Sequence, residues 1–351
     1  MQSRRCFLAA AICVAVVAVG CSGGGGGKQP DDPLAVAGQA GVFSVSIPAS
    51  GGASLGGTLS VPPHAKGPVP GVVIVPTTGG VDRDGVSNPT DPDPVYQDLS
   101  KAFVDAGMAT LRYDRRGIGA SKVSGQAITY DNLVSDAKDA LKFLMGRKEV
   151  GRSPMAVVGH DVGGPIALRV AADEPRVKSV VLVSSPGRPL VDVLADGFAA
   201  SNGPASADAF RAEVANLLAT GSLPGPESIP PEHQSVLGQG QDALLKGMFS
   251  DDPAADAARV KVPALIMVSS HSQTVTKADG DRLAQAMGPG ASVVVTDATP
   301  TLAVYVPDRP AIAFDPNNEA THTGGARIVD PIRRDQGSVA KVTSFLSDRL
   351  A

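Results

Sequence analysis

An α/β domain built on an eight-stranded, mostly parallel sheet flanked by helices is what this 351-residue sequence predicts. Three observations carry that reading. From Val42 onward, short apolar runs alternate with amphipathic ones, the pattern of strands and crossover helices. The first two runs have no helix-length stretch between them, so they should pair antiparallel. Residues 187–250 then interrupt the alternation with about 64 residues of helical character, which marks an insertion.

Taken in order, the chain opens on Ser3-Arg4-Arg5-Cys6-Phe7-Leu8 and an apolar run from Leu8 to Val19 that closes at Gly20-Cys21. The run is too short for a comfortable membrane span and ends on small residues, as a cleavable export signal does. The paired arginines resemble a twin-arginine signal. Ala18-Val19-Gly20-Cys21 resembles a bacterial lipobox, with Ala18 where Leu is more usual, which implies a lipid on Cys21 and attachment to the membrane of the cell envelope. In a Gram-negative host, Ser22 after that cysteine implies outer-membrane sorting. Residues 1–20 are thus expected to be signal, and residues 21–41, with five consecutive glycines, a flexible tether. All three cysteines (Cys6, Cys13, Cys21) lie in or at the end of the signal, leaving the body no thiol to pair.

The body, residues 42–351, offers eight candidate strands: Val42–Ile47, Leu55–Val61, Gly71–Val75, Ala109–Tyr113, Met155–Val158, Val177–Val183, Ala264–Val268 and Ser292–Thr296. Thr129 to Met145 is the best helix, placing Leu133, Ala137, Ala140, Leu141 and Leu144 on one face. In the insertion, about 187–250, Phe210, Val214, Leu217 and Leu218 share a face. A hydrophobic content of 43% is enough for a full-sized core, and the formal charge of −4, which becomes more negative when Arg4 and Arg5 leave with the signal, excludes the basic stripe of a nucleic-acid binder.

Val157-Val158-Gly159-His160-Asp161-Val162-Gly163-Gly164 reads as strand, sharp turn and helix, the layout of a nucleophile elbow, with Asp161 where a serine is common. The glycines allow strand and helix the close approach that such a turn needs. With Leu55-Gly56-Gly57-Thr58-Leu59, Asp82-Arg83-Asp84-Gly85, the run from Leu111 to Ser121 (LRYDRRGIGAS) and Pro186-Gly187-Arg188-Pro189-Leu190, the chain resembles the carboxylesterase and serine-peptidase-like branch of the α/β-hydrolases from Leu55 to its C-terminus. The resemblance implies an α/β-hydrolase fold in which the insertion is a cap over the pocket. It leaves to the run from Leu111 to Ser121 a structural job, its arginines and Asp114 fixing the turn after a strand.

The same resemblance assigns the site. Asp161 holds the nucleophile position. The family's Gly-x-x-Asp-x-x-Val acid pattern falls on Ser269 to Val275 and puts Ser272 at the acid; the base falls at Pro300, in a stretch without histidine. Backbone N–H groups of Thr77 and Val162 are the expected oxyanion-hole donors. His271, on the acid loop, and His322 are the possible replacement bases, whereas His64 and His233 are expected at the surface and His160 to point away from the nucleophile. The Gly-His-Asp-x-Gly-Gly elbow also resembles those of dehalogenases and epoxide hydrolases, but the chain has no Trp and its four tyrosines (Tyr96, Tyr113, Tyr130, Tyr305) lie outside the cap.

No cofactor and no metal is expected, because Asp91-Pro92-Asp93-Pro94 and Asp315-Pro316-Asn317-Asn318-Glu319 lack the ligand spacing of a calcium loop. Two functional readings remain. In the first, the triad is degenerate and the protein binds a small molecule or a protein partner. In the second, it is an active hydrolase, carboxylesterase-like or using Asp161 with a relocated histidine. An anion at the pocket floor, stabilised by a helix N-terminus, would favour neutral or cationic ligands over carboxylates.

Overall fold

The computed structural model describes residues 41–87, 93–123, 125, 127–238, 240–305 and 333–351. The signal, Cys21, the tether up to residue 40 and His322 lie outside these residues; Gly41, expected as the tether's last residue, begins the first strand. Among the described residues no helix is long and apolar enough to cross a membrane.

Eight strands form one sheet: β1 (Gly41–Ala49), β2 (Ala53–Val61), β3 (Gly71–Val75), β4 (Ala109–Tyr113), β5 (Met155–His160), β6 (Val177–Val183), β7 (Ala264–Ser269) and β8 (Ala291–Thr296), in the order β1-β2-β4-β3-β5-β6-β7-β8. β1 and β2 form an antiparallel hairpin in register from Gly41 opposite Val61 to Ala49 opposite Ala53, and β2 is antiparallel to β4. The remaining pairs are parallel. The hairpin turn needs Gly51 and Gly52, whose φ angles of 72° and 75° fall in the left-handed region. β3, β4 and β5 are buried along their whole length, which is why they read as unbroken apolar runs, whereas β1 alternates as an edge strand does.

Crossover helices α1 (Val95–Asp105), α2 (Tyr130–Met145) and α3 (Gly163–Asp173) connect β3 to β4, β4 to β5 and β5 to β6. Thr129, read from sequence as the first helical residue, is instead the N-cap of α2: its side chain accepts from the Asn132 N–H, and Asn132 returns the contact to the Thr129 N–H. The last helix, α10 (Gln336–Leu350), shares a core with α1 on one face of the sheet, where Phe103, Leu99, Val342 and Leu346 pack with Val72, Ile74, Val158 and Val181. Each fully buried Leu or Phe there contributes about 1.5–3 kcal/mol relative to exposure.

Chain order puts β4 on one side of β3 and β5 on the other. The loops leaving the carboxyl ends of β3 and β5 therefore part in opposite directions and open a crevice, the usual ligand position in such sheets. The insertion between β6 and β7 contains α4 (Leu190–Asn202), α5 (Pro204–Thr220), the single turns Pro226–Ser228 and Pro231–His233, α6 (Gln234–Leu237) and α7 (Asp242–Phe249), followed by α8 (Pro253–Arg259). After β7, α9 (Lys277–Met287) leads to β8.

Candidate active-site pocket

β5 ends at His160 and α3 begins at Gly163, so Asp161 and Val162 make the turn. Asp161 sits at φ 49°, a left-handed conformation that costs an L-residue roughly 1–2 kcal/mol. The turn is held by its N–H donating to the Val183 carbonyl and its own carbonyl accepting from the Gly164 N–H, both at 2.9 Å. The glycines are required by contact. A Cβ on Gly159 would stand 2.6 Å from the Gly163 carbonyl oxygen, one on Gly163 2.4 Å from that of Val75, and one on Gly164 2.1 Å from Ser185 Oγ.

The half-buried Asp161 carboxylate points across the crevice to the loop after β3, where Thr77 Oγ1 donates to its Oδ2 at 2.6 Å. This is the one side-chain hydrogen bond of Asp161 among the described residues, and no imidazole takes part in it. Asp161, Ser272 and Pro300 line one small cavity together with His160, Ser184 and Thr301. Ser272 Oγ accepts from the Val275 N–H at 3.1 Å and serves its own turn. Pro300 offers only a carbonyl, which accepts from Ser184 Oγ at 3.0 Å.

The candidate replacement base His271 does not reach Asp161. Its Nε2 bonds Asp297 Oδ1 at 2.7 Å, and its ring stacks on Tyr305 with centroids 3.4 Å apart, so an exposed carboxylate and a tyrosine face hold it away from the crevice. His64 is exposed, as expected. His160 is buried, with Nδ1 on the Tyr96 hydroxyl at 3.0 Å and no hydrogen bond to Asp161, although it lines the same small cavity and feels that carboxylate's charge. Burial holds its imidazole below the ordinary histidine value, and its ring also bonds the Pro300 carbonyl.

One expected oxyanion donor is engaged elsewhere. The Thr77 N–H donates to Tyr96 Oη at 3.0 Å, so Thr77 turns its hydroxyl, not its N–H, toward the site. The partners then define a relay: Thr77 N–H to Tyr96 oxygen, Tyr96 O–H to neutral His160 Nδ1, and the other ring N–H to the Pro300 carbonyl. Val162 lines the pocket, and its N–H meets no acceptor among the described residues.

Above this floor lies a cavity of about 420 Å³, within the size range of small-molecule sites. Its base is formed by Thr77, Thr78, Gly79, Arg115, Asp161 and Val162, and its roof by the cap, through Leu190 and Leu194 of α4 and Leu244, Leu245 and Met248 of α7. Most of the LRYDRRGIGAS run is structural. Asp114 accepts from the Arg83 and Ala120 backbone N–H groups, both at 2.8 Å, and Arg116 Nε pairs with Asp136 at 2.7 Å. Arg115 departs from the structural reading, because it lines the cavity. Its place in a run otherwise devoted to the turn hid that role from the sequence.

The cap holds a second polar arrangement. His233, expected at the surface, is 0% exposed. Its Nε2 lies 2.9 Å from Ser206 Oγ and its Nδ1 2.7 Å from Glu213 Oε2, with the rings of Phe198 and Phe210 packed around it at 4.6 and 5.4 Å. At the hinge between cap and sheet, Arg169 of α3 bonds both Asp251 and Asp256, and Asp251 also accepts from Tyr130 Oη at 3.0 Å. Burial, with help from neighbouring Asp256 and against the pull of Arg169, pushes Asp251 up to about 6. Among the described residues no group of three or more His, Cys, Asp or Glu side chains is placed to hold a metal ion.

Comparison with known proteins agrees with this architecture. Residues 94–219, which include the elbow, match the serine aminopeptidase family S33. Esterase EstD of Thermotoga maritima is 30% identical over 228 residues, a match covering 64% of this chain and 52% of that esterase, so the chain spans about half the length of that relative. Among solved structures, an esterase of Pyrococcus furiosus superposes with a TM-score of 0.54 at 17% identity, covering 74% of this chain and 83% of that one. A hypothetical protein of Pseudomonas aeruginosa superposes with a TM-score of 0.57 at 16% identity, covering 91% and 96%. At those identities the structures attest the fold.

Proposed function

We propose that this chain, a member of the α/β-hydrolase superfamily with esterase-like relatives, binds a small molecule in the cavity above Asp161 without hydrolysing it. The observation that supports this reading is the state of the elbow. Its carboxylate is held by the Thr77 hydroxyl at 2.6 Å, and no described histidine reaches it. Aspartate is also ill suited to ester cleavage, since attack on an acyl carbonyl would form a mixed anhydride, and nothing described stands by to activate water against it. The same proposal puts the protein in the cell envelope on a lipid at Cys21, a reading supported by Ala18-Val19-Gly20-Cys21.

A second reading, an active ester hydrolase, is favoured by the 30% identity to EstD. Such an enzyme would need its base from outside the described residues, where His322 is the candidate. The two are separated by p-nitrophenyl acetate kinetics and intact-mass analysis of the purified chain. The binding reading expects no burst and no adduct on Asp161. Weak turnover would leave it standing, because oxyanion donors and binding alone sustain about 10³–10⁴-fold catalysis over water. Turnover at enzymatic rates that His322→Ala abolishes would overturn it.

A further inference from the structure

We infer that Arg115 is the anion-recognising residue of the cavity, and that the pocket takes an amphipathic carboxylate, its acid group on Arg115 and its apolar body under the cap. The inference rests on the binding reading above and names the ligand class for that site.

Arg115 is 7% exposed and lines the cavity. Its one hydrogen bond among the described residues runs from Nη2 to the Gly79 carbonyl, and its Nε is buried with no partner. Every other buried arginine of the same run finds an acid, Arg112 on Asp84 and Arg116 on Asp136. Arg115 has none. Burial lowers its pKa to about 10, and no described carboxylate forms an ion pair with it.

A guanidinium taken out of water without a counter-ion bears a desolvation penalty of several kcal/mol, and buried charges are ordinarily paired. The fold tolerates that penalty here beside an open cavity. An incoming anion would supply the missing partner, and a guanidinium presents paired N–H donors that match a carboxylate in a fork geometry. The rest of the cavity defines the rest of the ligand. Leu190, Leu194, Leu244, Leu245, Met248 and Phe249 give an apolar roof. The expectation from Asp161 alone, that carboxylates are disfavoured, overlooks this second and opposite charge in the same cavity.

The test is calorimetric titration of the purified full chain with three probes of matched length: octanoate, octanamide and octylamine. Octanoate is expected to bind at least about tenfold more tightly than octanamide, the size of one charge-assisted contact. Arg115→Gln should shrink that ratio to about twofold or less. Because Arg115 also steadies Gly79, the variant is checked by circular dichroism. If it does not fold, the native protein decides through salt: octanoate affinity should fall with added NaCl and octanamide affinity should not. Octanamide or octylamine binding as tightly as octanoate would overturn the anion site while leaving the binding reading intact. No binding of any of the three, with titrations at two temperatures so that an enthalpy near zero is not taken for absence, would overturn both.

Discussion

The Thr77 hydroxyl donates to the Asp161 carboxylate across the crevice where the sheet changes direction, joining residues 84 apart in sequence over 2.6 Å. Thr77→Val keeps the shape and removes the donor. A hydrogen bond to a charged group contributes about 1.5–3 kcal/mol when well shielded, and Asp161 is half-exposed, so a loss near 1 kcal/mol in urea unfolding is expected. A double-mutant cycle with Asp161→Ala should return a coupling of similar size. Additive effects would show that the contact carries no energy.

Under the binding reading, building hydrolysis into the site would require changes at all three proposed triad positions. Asp161→Ser alone should recover little p-nitrophenyl acetate turnover, because a hydroxyl without an adjacent imidazole is a weak nucleophile. Asp161→Ser, Ser272→Asp and Pro300→His together should exceed any single change by far more than an additive sum. A folded but inert triple variant would count against these positions, or against an oxyanion loop whose Thr77 N–H is committed to Tyr96.

Asp251 should give the cap hinge a pH dependence of unusual sign. Its folded pKa is raised by burial to about 6, so between the ordinary aspartate range and that value the folded state binds more protons than the unfolded one. Stability from this group therefore falls as pH rises through that window. Asp251→Asn should remove that component, measured as the difference in urea midpoint between pH 4 and pH 7 for variant and parent. An identical difference in both would place the titration elsewhere.

Cys21→Ser tests the anchor. It is expected to move the protein from the membrane fraction to the soluble one, since the proposed anchor is the lipid on that thiol. Unchanged partition after carbonate washing would count against lipidation.

Much of the fold was legible because it rests on local signals. Gly71–Val75, Ala109–Tyr113 and Val177–Val183 are strands with the bounds their apolar runs suggest, and the elbow glycines announce a close approach that the structure makes. Contacts between distant residues left no such trace. Nothing near Tyr96 in the sequence signals that its hydroxyl links Thr77 to His160, nor anything near His271 that Tyr305 and Asp297 would turn it outward. Arg115 was legible as part of a motif but not as a pocket residue, because two arginines in succession look alike until the fold gives one of them an acid.

Ser206, His233 and Glu213 in the cap have the connectivity of a hydrolytic triad, hydroxyl to imidazole to carboxylate, yet the imidazole is sealed among phenylalanines. Burial therefore limits its chemistry, beside the competing bond of the Ser206 hydroxyl to Glu232 at 3.3 Å. While the cap is shut, an electrophile such as a fluorophosphonate should find Ser206 unreachable, and each opening should expose a hydroxyl already paired with a base. The rate at which Ser206 acquires such a label would then serve as a clock for the breathing of the cap, read from a residue that has no part in the pocket it covers.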